Sequence, residues 1–105
     1  MIEDKGDQFL SRIYDKVEVE YCSRRMNPML HYAGRFSAKE AVKKALLSSK
    51  LFDYVSLKDI VISREISGSP SVILPHIISE KGYMNVSISH TNNYATATAI
   101  FQLKP

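Results

Sequence analysis

The pattern of hydrophobic and polar positions divides the chain into a helical first half and a strand-rich second half. An apolar patch with i, i+1, i+4 spacing predicts a first helix from about Gly6 to Tyr14. Asp15, followed three residues later by Glu18, has the spacing of a capping box and predicts a short helix from Lys16 to Arg24. A long helix is predicted from Pro28 to Leu47, because proline suits the first turn of a helix.

The second half carries short β-branched or alternating segments separated by turn residues. The predicted strands are Asp59–Ser63, Ser71–Leu74, Met84–His90 and Tyr94–Leu103. A turn at Ser67–Pro70 and another at Asn92–Asn93 make two hairpins of these strands. Between the hairpins we expect a short helix over Pro75–Lys81, with Gly82 as its C-cap.

In the last strand, alternate residues are expected to share the face that packs on the core. They are Ala95, Ala97, Ala99, Phe101 and Leu103. Helices followed by strands predict an α+β fold, in which N-terminal helices pack on an antiparallel β-sheet. No repeat or long linker divides the chain, so we expect a single domain over residues 1–105.

The long helix carries one acid among several bases. Phe36, Glu40 and Lys44 stack four residues apart on one face. A carboxylate with a lysine one turn later can hold a metal ion and the phosphate that the ion binds. The alternative is an amphipathic helix with a stabilising Glu–Lys pair, worth about 0.2–0.5 kcal/mol.

Composition narrows the class of protein. The 105 residues are 45% hydrophobic and 24% charged, which is typical of a globular chain. A net charge of +3 mildly favours an anionic partner. Nucleic acid is not expected, since there is no clustered basic stripe with interleaved aromatics. A generic basic domain that binds an anionic macromolecule through Arg24, Arg25, Lys43 and Lys44 stays open.

A single cysteine, Cys22, excludes an intrachain disulfide and fits a reducing compartment. It is interpreted as a buried or half-buried structural thiol rather than a nucleophile, because no histidine lies near it in the sequence. The three histidines are not at metal-ligand spacing, so no zinc site is predicted, and His31 and His76 are interpreted as surface or packing residues. Without an apolar run of membrane length or a signal peptide, we expect a cytoplasmic protein with no membrane partner.

Three stretches, in the same order along nearly the whole chain, carry a resemblance to a known family. They are Phe9–Tyr14 with Glu18–Cys22, Ala33–Ala41 with Lys44, and Val86–Thr91 with Tyr94-Ala95. Gly68-Ser69-Pro70 falls where that family has a Gly-x-Pro turn. On these motifs the chain resembles the holo-acyl-carrier-protein synthases, the small phosphopantetheinyl transferases. The resemblance implies a phosphopantetheinyl transferase-like fold.

The resemblance also implies a reaction. Such enzymes move the phosphopantetheine arm of coenzyme A onto a serine of apo acyl carrier protein, and adenosine 3′,5′-bisphosphate leaves. A hard cation such as Mg²⁺ suits this chemistry. Small members are usually homotrimers with sites between subunits, so a homotrimer is expected. The alternative is a degenerate member that binds coenzyme A or carrier protein without efficient transfer.

Carried over by the same resemblance, Glu40 is expected to be a catalytic residue and metal ligand. Lys44 is expected to reach the coenzyme A pyrophosphate and to assist proton transfer. Arg35 and His90 are expected to face the ribose 3′-phosphate, and Pro70 to flank the adenine.

Each assignment has an alternative. Arg35 as a surface charge and His90 as a structural histidine, hydrogen-bonded by its neighbours, both stay open. Lys39 and Lys43 are interpreted as solvated or supporting residues.

The chain departs from the family pattern in two places. The expected N-terminal strand with a Gly-x-Asp motif, whose aspartate is the second metal ligand, is not found, and Asp4 and Asp7 stand in the wrong context to replace it. After Lys44 the family has a Gly-Thr-Gly-like loop, whereas this chain has Leu46-Leu47-Ser48-Ser49, in which Ser48 can still donate a hydrogen bond to phosphate. Either the recorded start lies downstream of the true one or the chain is a degenerate relative, and we expect it to transfer poorly.

Overall fold

A computed structural model of the chain describes residues 8–105 in full, and of residues 2–7 only their helical backbone. The helices are α1 (Ile2–Ile13), α2 (Lys16–Ser23), α3 (Pro28–Ser48) and α4 (His76–Ser79), and the strands are β1 (Val61–Arg64), β2 (Pro70–Ile73), β3 (Gly82–His90) and β4 (Ala95–Leu103). Three helices precede the strands and the short α4 lies between the two pairs of strands, so the predicted α+β class is confirmed. The side chains of Asp4 and Asp7 lie outside the described residues.

The helix starts follow the predicted signals. The Asp15 carboxylate accepts a hydrogen bond from the Val17 amide at 3.1 Å, and the Glu18 carboxylate accepts one from the Asp15 amide at 2.8 Å. The capping box at the start of α2 is thus confirmed. Helix α3 begins at Pro28, as predicted, and ends at Ser48, one residue beyond the predicted end.

Both hairpins are confirmed, with differences at their ends. Strand β1 pairs antiparallel with β2, and Gly68 in the connecting turn has φ +93°, a left-handed conformation that glycine adopts without strain. The predicted strand start at Asp59 is wrong, because Leu57–Asp59 form a 3₁₀ turn and the strand begins at Val61. Strand β3 pairs antiparallel with β4, and the two hairpins make two separate two-stranded sheets rather than one.

The prediction that Gly82 caps a helix is wrong, because Gly82 begins β3. Helix α4 is short and ends at Ser79, with Glu80 as its C-cap. A Cβ atom at Gly82 would come within 2.6 Å of the Gln102 carbonyl oxygen and 2.7 Å of the Phe101 ring. Close approach of β4, rather than a helix end, therefore explains this glycine.

The main core lies between α3 and the two hairpins. Its fully or nearly fully buried residues are Ala38, Val42, Leu46, Val55, Ile60, Ile62 and Ile78. Alternate residues of β4 from Ala95 to Phe101 are half-buried, as predicted, whereas Leu103 is 53% exposed because β4 ends there.

A second cluster joins the N-terminal helices to α3 and contains Tyr14, Cys22 and Tyr32. Burial raises the pKa of the Cys22 thiol, which fits the predicted structural role. Among the described residues, no helix is long and apolar enough to cross a membrane.

A buried ion pair ties these parts together. The Lys39 ammonium lies 2.7 Å from the Glu18 carboxylate, and neither side chain is exposed to solvent. Lys39 also donates hydrogen bonds to the carbonyl oxygens of Leu57 and Ile60, while Glu18 accepts one from the Ile62 amide at 2.8 Å. The interpretation of Lys39 as a solvated residue is therefore wrong. Lys39 instead supports the fold through these buried contacts.

Removing one partner of this pair is expected to destabilise the fold. Lys39→Met leaves the Glu18 carboxylate buried without a counter-charge and should lower the free energy of unfolding by about 3–5 kcal/mol. Urea denaturation followed by circular dichroism measures the change. Lys43→Met on the same helix is the matched control, expected to change stability by at most about 0.5 kcal/mol.

A double variant separates loss of charge from loss of packing. Glu18→Gln combined with Lys39→Met removes the buried charge and should recover part of the lost stability. A Lys39→Met variant as stable as Lys43→Met would show that the ion pair is not a constraint on the fold.

Candidate functional site

Helix α3 presents two differently buried faces, because residues four apart lie on one side of a helix. Arg35 and Lys39 belong to the inward face and are both buried. Phe36, Glu40 and Lys44 form the neighbouring face and are half-buried or exposed. On the inward face, Arg35 lines a cavity. On the neighbouring face, Glu40 and Lys44 line a groove.

The first site is a cavity of about 150 Å³ between α3, the β1–β2 hairpin and the end of β3, called here the arginine cavity. It contains three of the predicted residues, Arg35, Pro70 and His90, although they are far apart in the sequence. Pro70 is the first residue of β2, and His90 is the last residue of β3. The structure thus brings together residues from a helix, a turn and a strand end.

Arg35 is 5% exposed, so the alternative of a surface charge is wrong. Its guanidinium carbon stacks 4.0 Å from the centre of the Tyr21 ring. Among the described residues no carboxylate forms an ion pair with it, and its Nε atom is buried without a hydrogen-bond partner. Leaving a buried donor unpaired costs about 1–3 kcal/mol, so this guanidinium is suited to an anionic ligand that supplies acceptors.

The surroundings of Arg35 are also positive. Arg25 and Arg64 place their guanidinium carbons 3.9 Å and 5.1 Å from the centre of the same Tyr21 ring. No carboxylate lines the arginine cavity in the part of the chain that the structure describes. A cavity with fixed cations and no anion attracts phosphate or carboxylate groups.

Sequence reasoning missed His31, which it assigned to the surface or to packing. His31 lines the arginine cavity, with its ring centre 6.2 Å from that of His90. Its spacing of four residues from Arg35 was the available signal, since it places both on one side of the helix. His76, in contrast, is exposed and lies 3.4 Å from the Glu80 carboxylate.

The second site is a groove between α3 and the start of β4, called here the glutamate groove. It is lined by Phe36, Ser37, Glu40, Ala41, Lys44 and Ala95–Ala97. Among the described residues, neither Glu40 nor Lys44 forms an ion pair, so the alternative of a stabilising Glu–Lys pair is wrong. Both side chains therefore line the groove without an ion-pair partner among the described residues.

The arginine cavity and the glutamate groove meet at the end of the β3–β4 hairpin. His90, in the cavity wall, pairs with Ala95, in the groove wall. The Ser37 hydroxyl donates a hydrogen bond to the Ala95 carbonyl at 3.4 Å and holds α3 against this hairpin end. Since Arg35 and Glu40 are five residues apart, they lie about 7.5 Å apart along the helix axis. The two sites therefore lie next to each other along α3.

Ser48 is not brought to either site. It is exposed in the last turn of α3, one turn beyond Lys44, and it lines neither the arginine cavity nor the glutamate groove. Its contact with phosphate stays a prediction.

The residues of the glutamate groove fit a hard divalent cation. In the part of the chain that the structure describes, no three histidine, cysteine or acidic side chains cluster to hold a metal by themselves. Mg²⁺ does not need such a cluster, because it is usually bound by one or two carboxylates, water and substrate phosphates. Glu40 is the carboxylate in this groove, and phosphate oxygens held by Lys44 would complete the shell.

Comparison with known proteins gives the same family from sequence and from structure. A profile of the 4′-phosphopantetheinyl transferase superfamily matches residues 1–99. A holo-[acyl-carrier-protein] synthase of Chlamydia pneumoniae is 42% identical over 102 residues, which cover 94% of this chain and 82% of the relative.

Two solved structures share the fold. The holo-[acyl-carrier-protein] synthase of Helicobacter pylori in complex with coenzyme A has a TM-score of 0.78 and 26% identity, covering 96% of this chain and 87% of its own. A holo-(acyl-carrier-protein) synthase of Bacillus anthracis, in complex with CoA (3′,5′-ADP), has a TM-score of 0.78 and 28% identity, covering 98% and 87%.

Proposed function

Because the chain belongs to the 4′-phosphopantetheinyl transferase superfamily, we propose that it transfers the phosphopantetheine arm of coenzyme A to a serine of apo acyl carrier protein, with Mg²⁺. The single observation that carries this proposal is the buried Arg35 guanidinium, whose Nε has no hydrogen-bond partner among the described residues. The names of the relatives support the carrier protein as acceptor. The coenzyme A complexes of two structural relatives support coenzyme A as donor.

In this proposal the two sites bind the two phosphate-bearing parts of one coenzyme A molecule. The ribose 3′-phosphate enters the arginine cavity, where the planar guanidinium of Arg35 can pair with two phosphate oxygens. His90 contacts the same phosphate from the opposite wall, and Pro70 flanks the adenine. The pyrophosphate then lies at the glutamate groove, next to Lys44.

The chemistry requires positioning and charge neutralisation. The serine hydroxyl attacks the phosphorus atom that bears the pantetheine arm, and adenosine 3′,5′-bisphosphate leaves. Lys44 stabilises the charge that develops on the pyrophosphate oxygens and assists the transfer of the hydroxyl proton. Glu40 would hold Mg²⁺, which would supply further charge neutralisation at the phosphate oxygens.

A second candidate is a protein that binds coenzyme A or carrier protein without efficient transfer. The observation in its favour is that Glu40 is the one carboxylate of the glutamate groove among the described residues. A cation held by one protein carboxylate is bound more weakly than one held by two. The assay described below separates this candidate from the first.

We also propose that the chain assembles as a homotrimer with sites between subunits. Large apolar side chains on α3 and on or next to β4 are exposed in the single chain, including Phe36 at 39%, Tyr94 at 78% and Ile100 at 63%. Neighbouring copies would bury such surface. Light scattering should give three times the mass of one chain, and the mass of a single chain at micromolar concentration would contradict the assembly.

Replacing the groove carboxylate should remove transfer while sparing the fold. Glu40→Gln keeps the shape and loses the charge, so the Mg²⁺-dependent rate is expected to fall by about 100-fold or more. Mass spectrometry of apo acyl carrier protein incubated with coenzyme A and Mg²⁺ measures the transfer. Glu80→Gln, at the end of α4 and away from both sites, is the matched control and should retain the wild-type rate.

The outcomes distinguish the two candidates. Transfer by the wild type, lost in Glu40→Gln, supports the enzyme. Binding of coenzyme A by calorimetry without transfer by the wild type supports the binding protein. Full transfer by Glu40→Gln would show that the assignment of Glu40 is wrong.

A further inference from the structure

His31 lines the arginine cavity, and the proposed function gives this residue no role. It lies on α3 one turn before Arg35 and is half-buried in the cavity wall. Its ring meets Tyr21 edge-on, with centres 5.8 Å apart at 77°, and faces His90 at 6.2 Å and 65°. The imidazole is thus held by aromatic contacts at the point where a bound phosphate would lie.

Among the residues whose side chains the structure describes, every charged or titratable group that faces His31 is positive or neutral. Arg35 is on the same helix, Arg25 lies between α2 and α3, Arg64 is on β1 and His90 ends β3. The remaining titratable neighbour, Tyr21 of α2, contributes an uncharged ring. No carboxylate of the described residues lines the cavity to offset these charges.

This environment disfavours a charged imidazole. Burial is the largest cause that lowers the pKa of His31, and Arg35, His90, Arg64 and Arg25 lower it further. The neutral imidazole is therefore favoured in the ligand-free protein. A phosphate dianion beside it would reverse the balance, because it adds an opposite charge and hydrogen-bond acceptors.

We propose that His31 takes up a proton when a phosphate enters the arginine cavity, so that ligand binding is linked to pH through this residue. The proposal rests on the proposed function only in naming that phosphate as the ribose 3′-phosphate of coenzyme A. The sign follows from linkage, since a group that binds its proton more tightly in the complex makes the complex stronger as the pH falls. The contribution of His31 to the affinity for coenzyme A should therefore rise as the pH falls from 8 to 6.

Calorimetry can count the proton. Coenzyme A is titrated into the full chain at pH 6.5 in two buffers of different ionisation enthalpy, and the difference gives the protons taken up per site. The wild type should take up more protons than His31→Gln, because the ligand's own protonation is common to both proteins. His76→Gln removes an exposed histidine away from the cavity and is the matched control, expected to behave as the wild type.

The affinities give a second readout. From pH 8 to pH 6, the ratio of wild-type to His31→Gln affinity should increase, by at most about tenfold for each unit by which binding raises the pKa of His31. With 3′-dephospho-coenzyme A, which lacks the ribose phosphate, this ratio should stay constant. Arg35→Gln should weaken coenzyme A binding at every pH, because it removes a permanent charge.

Each result decides the proposal. Equal proton uptake by the wild type and His31→Gln would overturn the role of His31 and leave the proposed function standing. Equal binding of coenzyme A and its dephospho form by the wild type would overturn both the role and the placement of the ligand. Should His31→Gln fail to fold, NMR titration of the wild-type imidazole resonances replaces it, and the same His31 titration with and without coenzyme A would overturn the proposal.

Discussion

The buried ion pair between Glu18 and Lys39 sets the rotation of α3, and both candidate sites depend on that rotation. Successive helix residues are about 100° apart, so fixing Lys39 inward also turns Arg35, one turn earlier, toward the interior. The same constraint leaves Glu40 on the neighbouring face, at the groove beside β4. Lys39 thus helps to hold the fold together, whereas Glu40, the next residue of the same helix, lies at the groove.

Burying two charges is costly unless all their hydrogen-bonding groups are satisfied. Here the three donors of the Lys39 ammonium meet the Glu18 carboxylate and two backbone carbonyl groups. The two oxygens of Glu18 accept from Lys39, from the Asp15 amide that begins α2 and from the Ile62 amide in β1. Burial lowers the pKa of Lys39, and the hydrogen bond that Lys39 donates to Glu18 opposes that effect. The pair therefore joins α2, α3, the 3₁₀ turn and β1 through satisfied contacts, which favours one arrangement of these elements.

Sequence periodicity was sufficient where local chemistry decides the structure. The capping box at Asp15 and Glu18, the proline start of α3 and the alternation in β4 each act within a few residues, so the pattern predicts them. The candidate site came instead from a resemblance that matched residues one by one, and the structure brings Arg35, Pro70 and His90 into one cavity.

What the sequence did not reveal depends on contacts between distant residues. Lysine is rarely buried, so the sequence alone favours a supporting or solvated role for Lys39. Nothing in the neighbouring sequence indicates that Glu18 lies opposite it. His31 belongs to the cavity only because β3 and β1 bring His90 and Arg64 to the same place. The 3₁₀ turn before β1 likewise involves a distant residue, because Lys39 donates hydrogen bonds to the carbonyl of Leu57 in the turn and to that of Ile60 directly after it.

The central claim is that α3 holds both ends of one coenzyme A molecule, with its ribose phosphate at Arg35 and its pyrophosphate at Glu40 and Lys44. Diffraction from crystals grown with coenzyme A and Mn²⁺, which prefers the same oxygen ligands as Mg²⁺, tests it most directly. We expect the ribose phosphate against Arg35 and His90, and an anomalous manganese peak at the Glu40 carboxylate. A metal ion bound away from Glu40, or a ribose phosphate outside the arginine cavity, would contradict it.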